Sequence, residues 1–98
     1  MFSHPHLFGP ILEFDAAKCV ANEVKHGVSF ALAARVDGYP ALIWLDVRRG
    51  YGEERYIAIA PIGARLYVAV FVIRGRILRI ITLRKANTRE VKRYAKQA

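Results

Sequence analysis

Three apolar segments joined by very short connections dominate the second half of this chain of 98 residues. Residues 54–60, 65–73 and 77–84 are rich in β-branched and aromatic side chains, which is typical of β-strands. The connections at residues 61–63 and 74–76 contain glycine and are long enough only for tight turns. Strands linked in this way must be antiparallel neighbours, so the sequence predicts an antiparallel meander.

A helix is predicted between this meander and a short strand at residues 11–14. Asp15 is suited to the N-cap position, and Gly27 can adopt the left-handed conformation that ends a helix. Ser29 can cap a second helix directly after it, which ends near Asp37. Two stripes of side chains recur at helical spacing along the first helix. They are the apolar residues Ala17, Val20, Ala21 and Val24 and the polar residues Lys18, Asn22, Lys25 and His26.

The remaining elements complete the fold class. Residues 41–46 form a continuous apolar run bounded by turn signals, which predicts a strand. Asn87 and Glu90 have the spacing of a capping box that opens a C-terminal helix. The predicted order β-α-α-β-β-β-β-α defines an α+β fold, in which an antiparallel sheet of four to five strands carries two N-terminal helices and one C-terminal helix. Residues 1–11 are interpreted as an extended lead-in to one domain that spans residues 12–98.

Basic residues are concentrated in the second half of the chain. Lysine and arginine together number 16 against 8 aspartate and glutamate residues, which gives a formal net charge of +8. Residues 1–50 contain five basic and five acidic side chains, whereas residues 51–98 contain eleven basic and three acidic ones. Excess positive charge in one half of a small domain is typical of proteins that bind a phosphate backbone. A basic surface can also serve solubility or meet an acidic protein.

Several classes of protein are disfavoured by the sequence. The longest uninterrupted apolar run, residues 66–73, is less than half of the roughly 20 residues that a membrane-spanning helix needs. No basic segment followed by an apolar segment marks a signal peptide at the N-terminus. The one cysteine, Cys19, cannot form an internal disulfide, so we expect a soluble cytoplasmic protein. The sequence shows no cysteine–histidine cluster and no aspartate pair with ligand spacing, so no metal and no other cofactor is expected.

Three segments carry motifs in a recognisable order. Residues 14–30 contain FDxxKxxxNxxKHGVSF, residues 51–56 read YGEERY, and residues 79–86 read RIITLRKA. Together they resemble the BrnT family of bacterial toxins, and the resemblance covers about residues 12–95. The family usually has tryptophan where this chain has Phe14.

The resemblance implies a toxin of a type II toxin–antitoxin pair with a compact RelE-like fold. It implies an endoribonuclease that cleaves RNA and thereby inhibits translation. It also implies a cognate partner, a BrnA-like antitoxin of the ribbon-helix-helix type, which neutralises the toxin and binds operator DNA. Through the antitoxin, two toxins could join in a heterotetramer.

RNA cleavage without a metal requires three actions on the phosphodiester. The ribose 2′-hydroxyl loses a proton, the negative charge of the phosphorane is stabilised, and the 5′-oxygen gains a proton. Imidazole in general suits the proton transfers because its unperturbed pKa of about 6.5 is close to neutral pH. Guanidinium suits the phosphorane because its planar fork donates to two oxygens and stays charged.

Five residues form the candidate catalytic set. His26 is the first candidate for proton transfer, although a histidine at a helix C-terminus is also favoured by the helix dipole alone. Lys25 can stabilise negative charge. Glu53 can act as a second acid or base or orient Arg55, and the alternative is a surface ion pair that contributes little. Arg84, near the end of its predicted strand, is the favoured group for stabilising the transition state.

A second group of residues is predicted to bind RNA. Arg79 and Arg84 are five positions apart on one strand, so alternation places them on opposite faces of the sheet unless a bulge intervenes or the strand ends before Arg84. Lys18 and Asn22 are expected to contact either the sheet or the RNA backbone. Tyr51 could stack on a base, although strand aromatics more often pack in a core. The full set is Lys18, Asn22, Arg48, Arg49, Tyr51 and Arg79.

Two other functions remain open on the sequence. The basic half of the chain is also compatible with a non-catalytic module that binds RNA or DNA, which would bind with a steep salt dependence and release no cleavage product. A diverged toxin kept only as the partner of its antitoxin would form a tight complex without arresting growth.

Overall fold

The computed structural model describes residues 11–35, 41–46 and 53–97. Its elements follow the predicted order, with one difference in type. The second helix, Phe30–Arg35, is a 3-10 helix rather than an α-helix. The other elements are β1 (Ile11–Glu13), α1 (Ala16–His26), β2 (Leu42–Asp46), β3 (Arg55–Ile62), β4 (Arg65–Arg74), β5 (Ile77–Lys85) and α2 (Thr88–Gln97).

The five strands form one mixed sheet in the order β1-β5-β4-β3-β2. The predicted antiparallel meander of β3, β4 and β5 is confirmed, and β2 pairs antiparallel with β3. The prediction of a wholly antiparallel sheet is wrong at one edge, because β1 pairs parallel with β5. No hairpin links these two strands, so no tight turn fixes their relative direction.

Both predicted turns contain a glycine in the left-handed region. Gly63 has φ 61° and Gly75 has φ 59°, which residues with a side chain rarely adopt. The first turn is shorter than predicted, since Pro61 and Ile62 still belong to β3 and Ile62 pairs with Arg65. Such two-residue connections hold β3, β4 and β5 in a fixed register.

The core lies between one face of the sheet and the segment that contains α1 and the 3-10 helix. Phe30 is fully buried, and its ring meets Phe14 edge to face with 5.7 Å between centroids. Tyr56 stacks on Phe71 at 5.8 Å. The buried members of this core are Cys19, Val28, Phe30, Ala58, Phe71, Leu78, Ile80 and Leu83.

Helix α1 begins and ends as the sequence predicts. The Lys18 N–H donates to the Asp15 carboxylate at 3.0 Å, and this hydrogen bond lowers the pKa of Asp15. Gly27 ends the helix with φ 71°, and its N–H donates to the carbonyl of Glu23 at 2.8 Å. Ser29 caps the 3-10 helix by accepting a hydrogen bond from the Ala31 N–H.

Helix α1 attaches to the sheet through Cys19 and Asn22, its two buried residues. Asn22 Nδ2 donates to the carbonyls of Val28 at 2.8 Å and Leu83 at 2.7 Å, and the Leu83 N–H donates to Asn22 Oδ1 at 3.2 Å. The carboxamide therefore pairs with the backbone of β5 as a neighbouring strand would. The sequence predicts that Asn22 contacts either the sheet or the RNA backbone, and the structure shows the contact with the sheet.

Replacing Asn22 by alanine is expected to lower the free energy of unfolding by about 3 kcal/mol, because buried backbone groups of Val28 and Leu83 lose their partner. Chemical denaturation measures the change. The matched control is Val24→Ala, two residues further along the same helix. The Val24 side chain is 84% exposed, so the free energy of unfolding should change by no more than about 0.5 kcal/mol. Equal effects of the two substitutions would contradict the anchoring role.

Helix α2 lies on the opposite face of the sheet from α1 and has no buried residue. The Arg93 guanidinium sits 3.9 Å from the centroid of the Trp44 ring, a cation–π contact. Glu90, near its start, forms an ion pair with Arg84 of β5. These contacts hold α2 on the sheet, although the helix buries little apolar surface. A helix this short is only marginally stable by itself, so it needs such tertiary contacts.

Candidate functional site

A β-bulge decides how the arginines of β5 are arranged. Val70 pairs with Thr82 and Phe71 pairs with Ile80, so Ile81 is an extra residue in β5. The bulge resets the alternation of side chains. Arg79 and Arg84 therefore lie on the same face of the sheet, opposite Val72 and Val68 of β4, which are four residues apart, or about 13 Å.

Three arginines on this face, Arg74, Arg79 and Arg84, are each paired with a carboxylate from another part of the chain. Arg79 Nη1 donates to Glu13 Oε1 at 2.6 Å, across the parallel pair of β1 and β5. Arg74 at the end of β4 binds both oxygens of Glu53, with a closest distance of 2.9 Å. These hydrogen bonds from Arg74 lower the pKa of Glu53. The pair of Arg74 and Glu53 is exposed. Glu53 therefore takes part in a surface ion pair, which the sequence left open as the alternative to a catalytic role.

Of the three pairs, that of Arg84 and Glu90 has the least exposed carboxylate, since the Glu90 side chain is 20% exposed. Arg84 Nη1 and Nη2 donate to the two carboxylate oxygens of Glu90 at 2.8 and 2.7 Å. Glu90 also accepts from the Asn87 N–H, and its own N–H donates to Asn87 Oδ1, which confirms the predicted capping box. The guanidinium is thus oriented by a carboxylate that is itself fixed at a helix N-terminus.

The hydrogen bonds from Arg84 hold the pKa of Glu90 below its ordinary value of 4.5. A carboxylate with a lowered pKa in the folded state contributes stability above pH 4.5, and this stability is lost as the pH falls through the lower folded value. We therefore expect Glu90→Gln to lower the free energy of unfolding by about 1 kcal/mol at pH 7, discounted for partial exposure.

Denaturation of the wild type and Glu90→Gln between pH 7 and pH 3 checks this pH dependence. The difference between them should shrink as the pH falls below 4.5. The matched control is Glu54→Gln, which removes the same charge from an exposed glutamate. A difference between wild type and Glu90→Gln that stays constant with pH would contradict the assigned cause.

His26 ends α1 one helical turn after the Asn22 anchor and is half-buried, whereas Lys25 is exposed. Within the described parts of the chain, the His26 side chain makes no hydrogen bond or ion pair. Asn22 is bonded to Leu83, the residue directly before Arg84, so the end of α1 is anchored beside the last residues of β5. β1 pairs only with residues 77–79 of this strand.

A cleft of about 370 Å³ lies between the end of α1 and the end of β5. Gly27, which follows His26, and Lys85, which follows Arg84, both line it. The Lys85 position pairs with Tyr67 of β4. Among the residues that the structure describes, those that line the cleft are Gly27, Val28, Ser29, Ala31, Leu32, Tyr67 and Lys85.

The predicted catalytic set does not form one constellation. Lys25 and His26 end α1 beside the cleft, whereas Arg84 lies near the end of β5 on the face of the sheet opposite to Lys85, which lines the cleft. Glu53 is bonded to Arg74, which lies six residues along β4 from the partner of Arg84, or about 20 Å away. Arg55 pairs with Asp46 in the register of β2 and β3, and it does not lie at the cleft end of the sheet.

The predicted RNA-binding residues are also divided. Asn22 is buried with its carboxamide bonded to backbone groups, so the structure gives it an anchoring role and removes it from the candidate RNA surface. Lys18 is exposed on α1, and Arg79 lies on the same face of the sheet as Arg84. Arg48, Arg49 and Tyr51 lie outside the described residues.

Sequence reasoning missed Lys85 and Tyr67 as cleft residues. A register counted from the Gly75 turn could have paired them, but only with knowledge of the bulge, and no glycine marks that position. Among residues 11–35, 41–46 and 53–97, no three His, Cys, Asp or Glu side chains are grouped as metal ligands would be. No helix in those residues has the length and apolar character needed to cross a membrane.

A compact α+β domain with a strong excess of positive charge is typical of small proteins that act on nucleic acids. The family model of the ribonuclease toxin BrnT of type II toxin–antitoxin systems matches residues 14–90, and the chain belongs to this family. The resemblance seen in the sequence motifs is thereby confirmed. A search of curated proteins finds no match to the chain.

Proposed function

We propose that this ribonuclease toxin cleaves RNA without a metal ion, at the edge of β5 between His26 and Arg84. The observation that carries the proposal is the Asn22 anchor, which fixes the end of α1 to the residue directly before Arg84. A phosphodiester in the mouth of the cleft would have an imidazole on one side of the strand edge and a guanidinium on the other.

In this proposal, the chemical step divides between these two groups. His26 takes the proton from the ribose 2′-hydroxyl, and an acid returns a proton to the departing 5′-oxygen. Arg84 stabilises the charge that develops on the phosphorane, and its alignment by Glu90 limits the reorganisation needed during the reaction. Lys25, exposed next to His26, adds positive charge at the same edge. The products carry a 2′,3′-cyclic phosphate and a 5′-hydroxyl.

RNA is proposed to continue from the cleft along the arginine face of the sheet. Arg84 and Arg79 are about 13 Å apart on that face, which suits contacts to phosphates on either side of the scissile one. Arg79 already binds Glu13, so a phosphate must compete with this carboxylate or share the guanidinium with it. Arg55, half-buried at the start of β3, would add positive charge to this face. Lys18 is exposed on α1, on the other face of the sheet, and would contact RNA that passes over that helix. Glu53 is proposed to orient Arg74 rather than to transfer a proton.

The remaining partner is the antitoxin that a type II system implies. We propose that it is a BrnA-like protein with a ribbon-helix-helix DNA-binding fold, and that its dimer joins two toxins in a heterotetramer. The toxin carries a net charge of +8, so we expect acidic side chains on the antitoxin surface that contacts it. Inhibition of translation in the bacterial cytoplasm would follow from RNA cleavage.

Inducible expression of the chain in a bacterium tests this function. The expected result is growth arrest together with decay of cellular RNA, both suppressed when the product of the neighbouring reading frame is co-expressed. Arrest without RNA decay would favour a non-catalytic module that binds nucleic acid. Absence of arrest, with tight binding to the neighbouring product, would indicate a toxin retained only as a partner of its antitoxin.

A further inference from the structure

Helix α1 carries its apolar stripe on the side that faces away from the sheet. Val20 is 59% exposed and Val24 is 84% exposed, and Ala17 and Ala21 beside them are also exposed. An apolar stripe at helical spacing normally marks the core-facing side of a surface helix. Here the opposite side, which carries the polar Asn22, faces the core.

The stripe contributes little to holding α1 in place. The helix is held by Asn22, by buried Cys19 and by the caps at both ends. Polar side chains at the positions of Val20 and Val24 would satisfy the fold equally well. An unbroken row of exposed apolar side chains at helical spacing is a feature of surfaces that bind other proteins.

We propose that this stripe is the docking surface for an apolar segment of the antitoxin, with acidic side chains at its margin. The proposal rests on the proposed function, since it takes the partner from the type II system. Lys18 and Lys25 are exposed along one side of the stripe, and the chain as a whole is strongly basic. An apolar centre with a basic margin fits an amphipathic segment with acidic flanks.

Charge argues against a second copy of this chain as the occupant, because two copies would bring their basic margins together. A stable interface buries roughly 800 Å² on each partner, and two valines with two alanines provide far less. A partner that docks here must continue onto the neighbouring surface. The stripe ends two residues before the end of α1, so the continuation in that direction reaches Lys25. His26 lies on the other side of the helix with Asn22, so a docked segment would neutralise the toxin by extending past the end of α1.

The test is the double substitution Val20→Asp and Val24→Asp, with Val91→Asp as the matched control on α2, where the valine is 43% exposed. The probe is the purified product of the neighbouring reading frame. We expect its affinity for the double variant to fall by roughly 100-fold, because two buried valine contacts are lost and acidic flanks are repelled. RNA cleavage by the free variant should match the wild type, and the probe should no longer suppress it.

Each outcome separates the two proposals. Unchanged affinity of the double variant, or an equal loss in Val91→Asp, overturns the docking surface. If the wild type is dimeric in solution and the double variant is monomeric, the stripe binds a second copy of this chain. That result would also overturn the proposed docking surface for the antitoxin. A wild type that binds the probe through the stripe but cleaves no RNA would support the docking surface and contradict the proposed function instead.

Discussion

Replacing Arg84 by alanine is expected to slow RNA cleavage by about 100- to 1,000-fold, the usual effect of removing one fixed donor to a developing negative charge. The substitution removes the guanidinium that Glu90 aligns through two hydrogen bonds. Cleavage of a short fluorescent RNA by purified protein measures the rate under single-turnover conditions. Substrate affinity should change much less than the rate, because the contact strengthens in the transition state.

Two further variants give this prediction its controls. Arg84→Lys retains the positive charge but cannot donate two parallel hydrogen bonds, so its rate should fall between those of the wild type and the alanine variant. Arg76→Ala removes the same side chain from an exposed turn at the far end of the sheet and should leave the rate unchanged. If Arg76→Ala and Arg84→Ala slowed cleavage equally, the loss would reflect net charge alone and the assigned role would fail.

Replacing His26 by glutamine is expected to slow cleavage by about 100- to 10,000-fold, the range for loss of a positioned general base or acid. Glutamine retains a polar side chain at the end of α1 but cannot take up or release a proton near neutral pH. The same RNA assay measures the change, and thermal unfolding shows whether the variant remains folded. RNA binding should persist because the arginine face is untouched.

The matched control for His26 is Glu23→Gln on the same helix. Glu23 is exposed, and its substitution introduces the same residue type one turn from His26. We expect its cleavage rate to equal that of the wild type. If His26→Gln remained as active as Glu23→Gln, His26 would have no catalytic role. Another group would then have to accept the proton of the ribose 2′-hydroxyl.

The order and type of most elements were predictable because their signals are local. The Gly75 turn fixes the hairpin of β4 and β5, and the spacing of Asn87 and Glu90 fixes the start of α2. The direction of β1 was not predictable in this way. Its pairing with β5 joins segments more than sixty residues apart, and no turn residue reports on such a contact.

The arrangement of the site was less accessible because it depends on two non-local features. The bulge at Ile81 reverses the simple alternation that would have separated Arg79 from Arg84. The anchor made by Asn22 buries a polar residue and leaves Val20 and Val24 exposed, which is the reverse of what helical periodicity usually indicates. Both features depend on hydrogen bonds to the backbone of β5, and the side-chain pattern carries no record of them.

The most direct test of metal-independent cleavage is the reaction of the purified toxin with RNA in excess EDTA, with analysis of the product ends. We expect cleavage to persist at the rate seen without the chelator. The products should have 2′,3′-cyclic phosphate and 5′-hydroxyl ends, and they should form far more slowly in His26→Gln and Arg84→Ala. Cleavage that stops in EDTA, or products with 5′-phosphate ends, would contradict this mechanism.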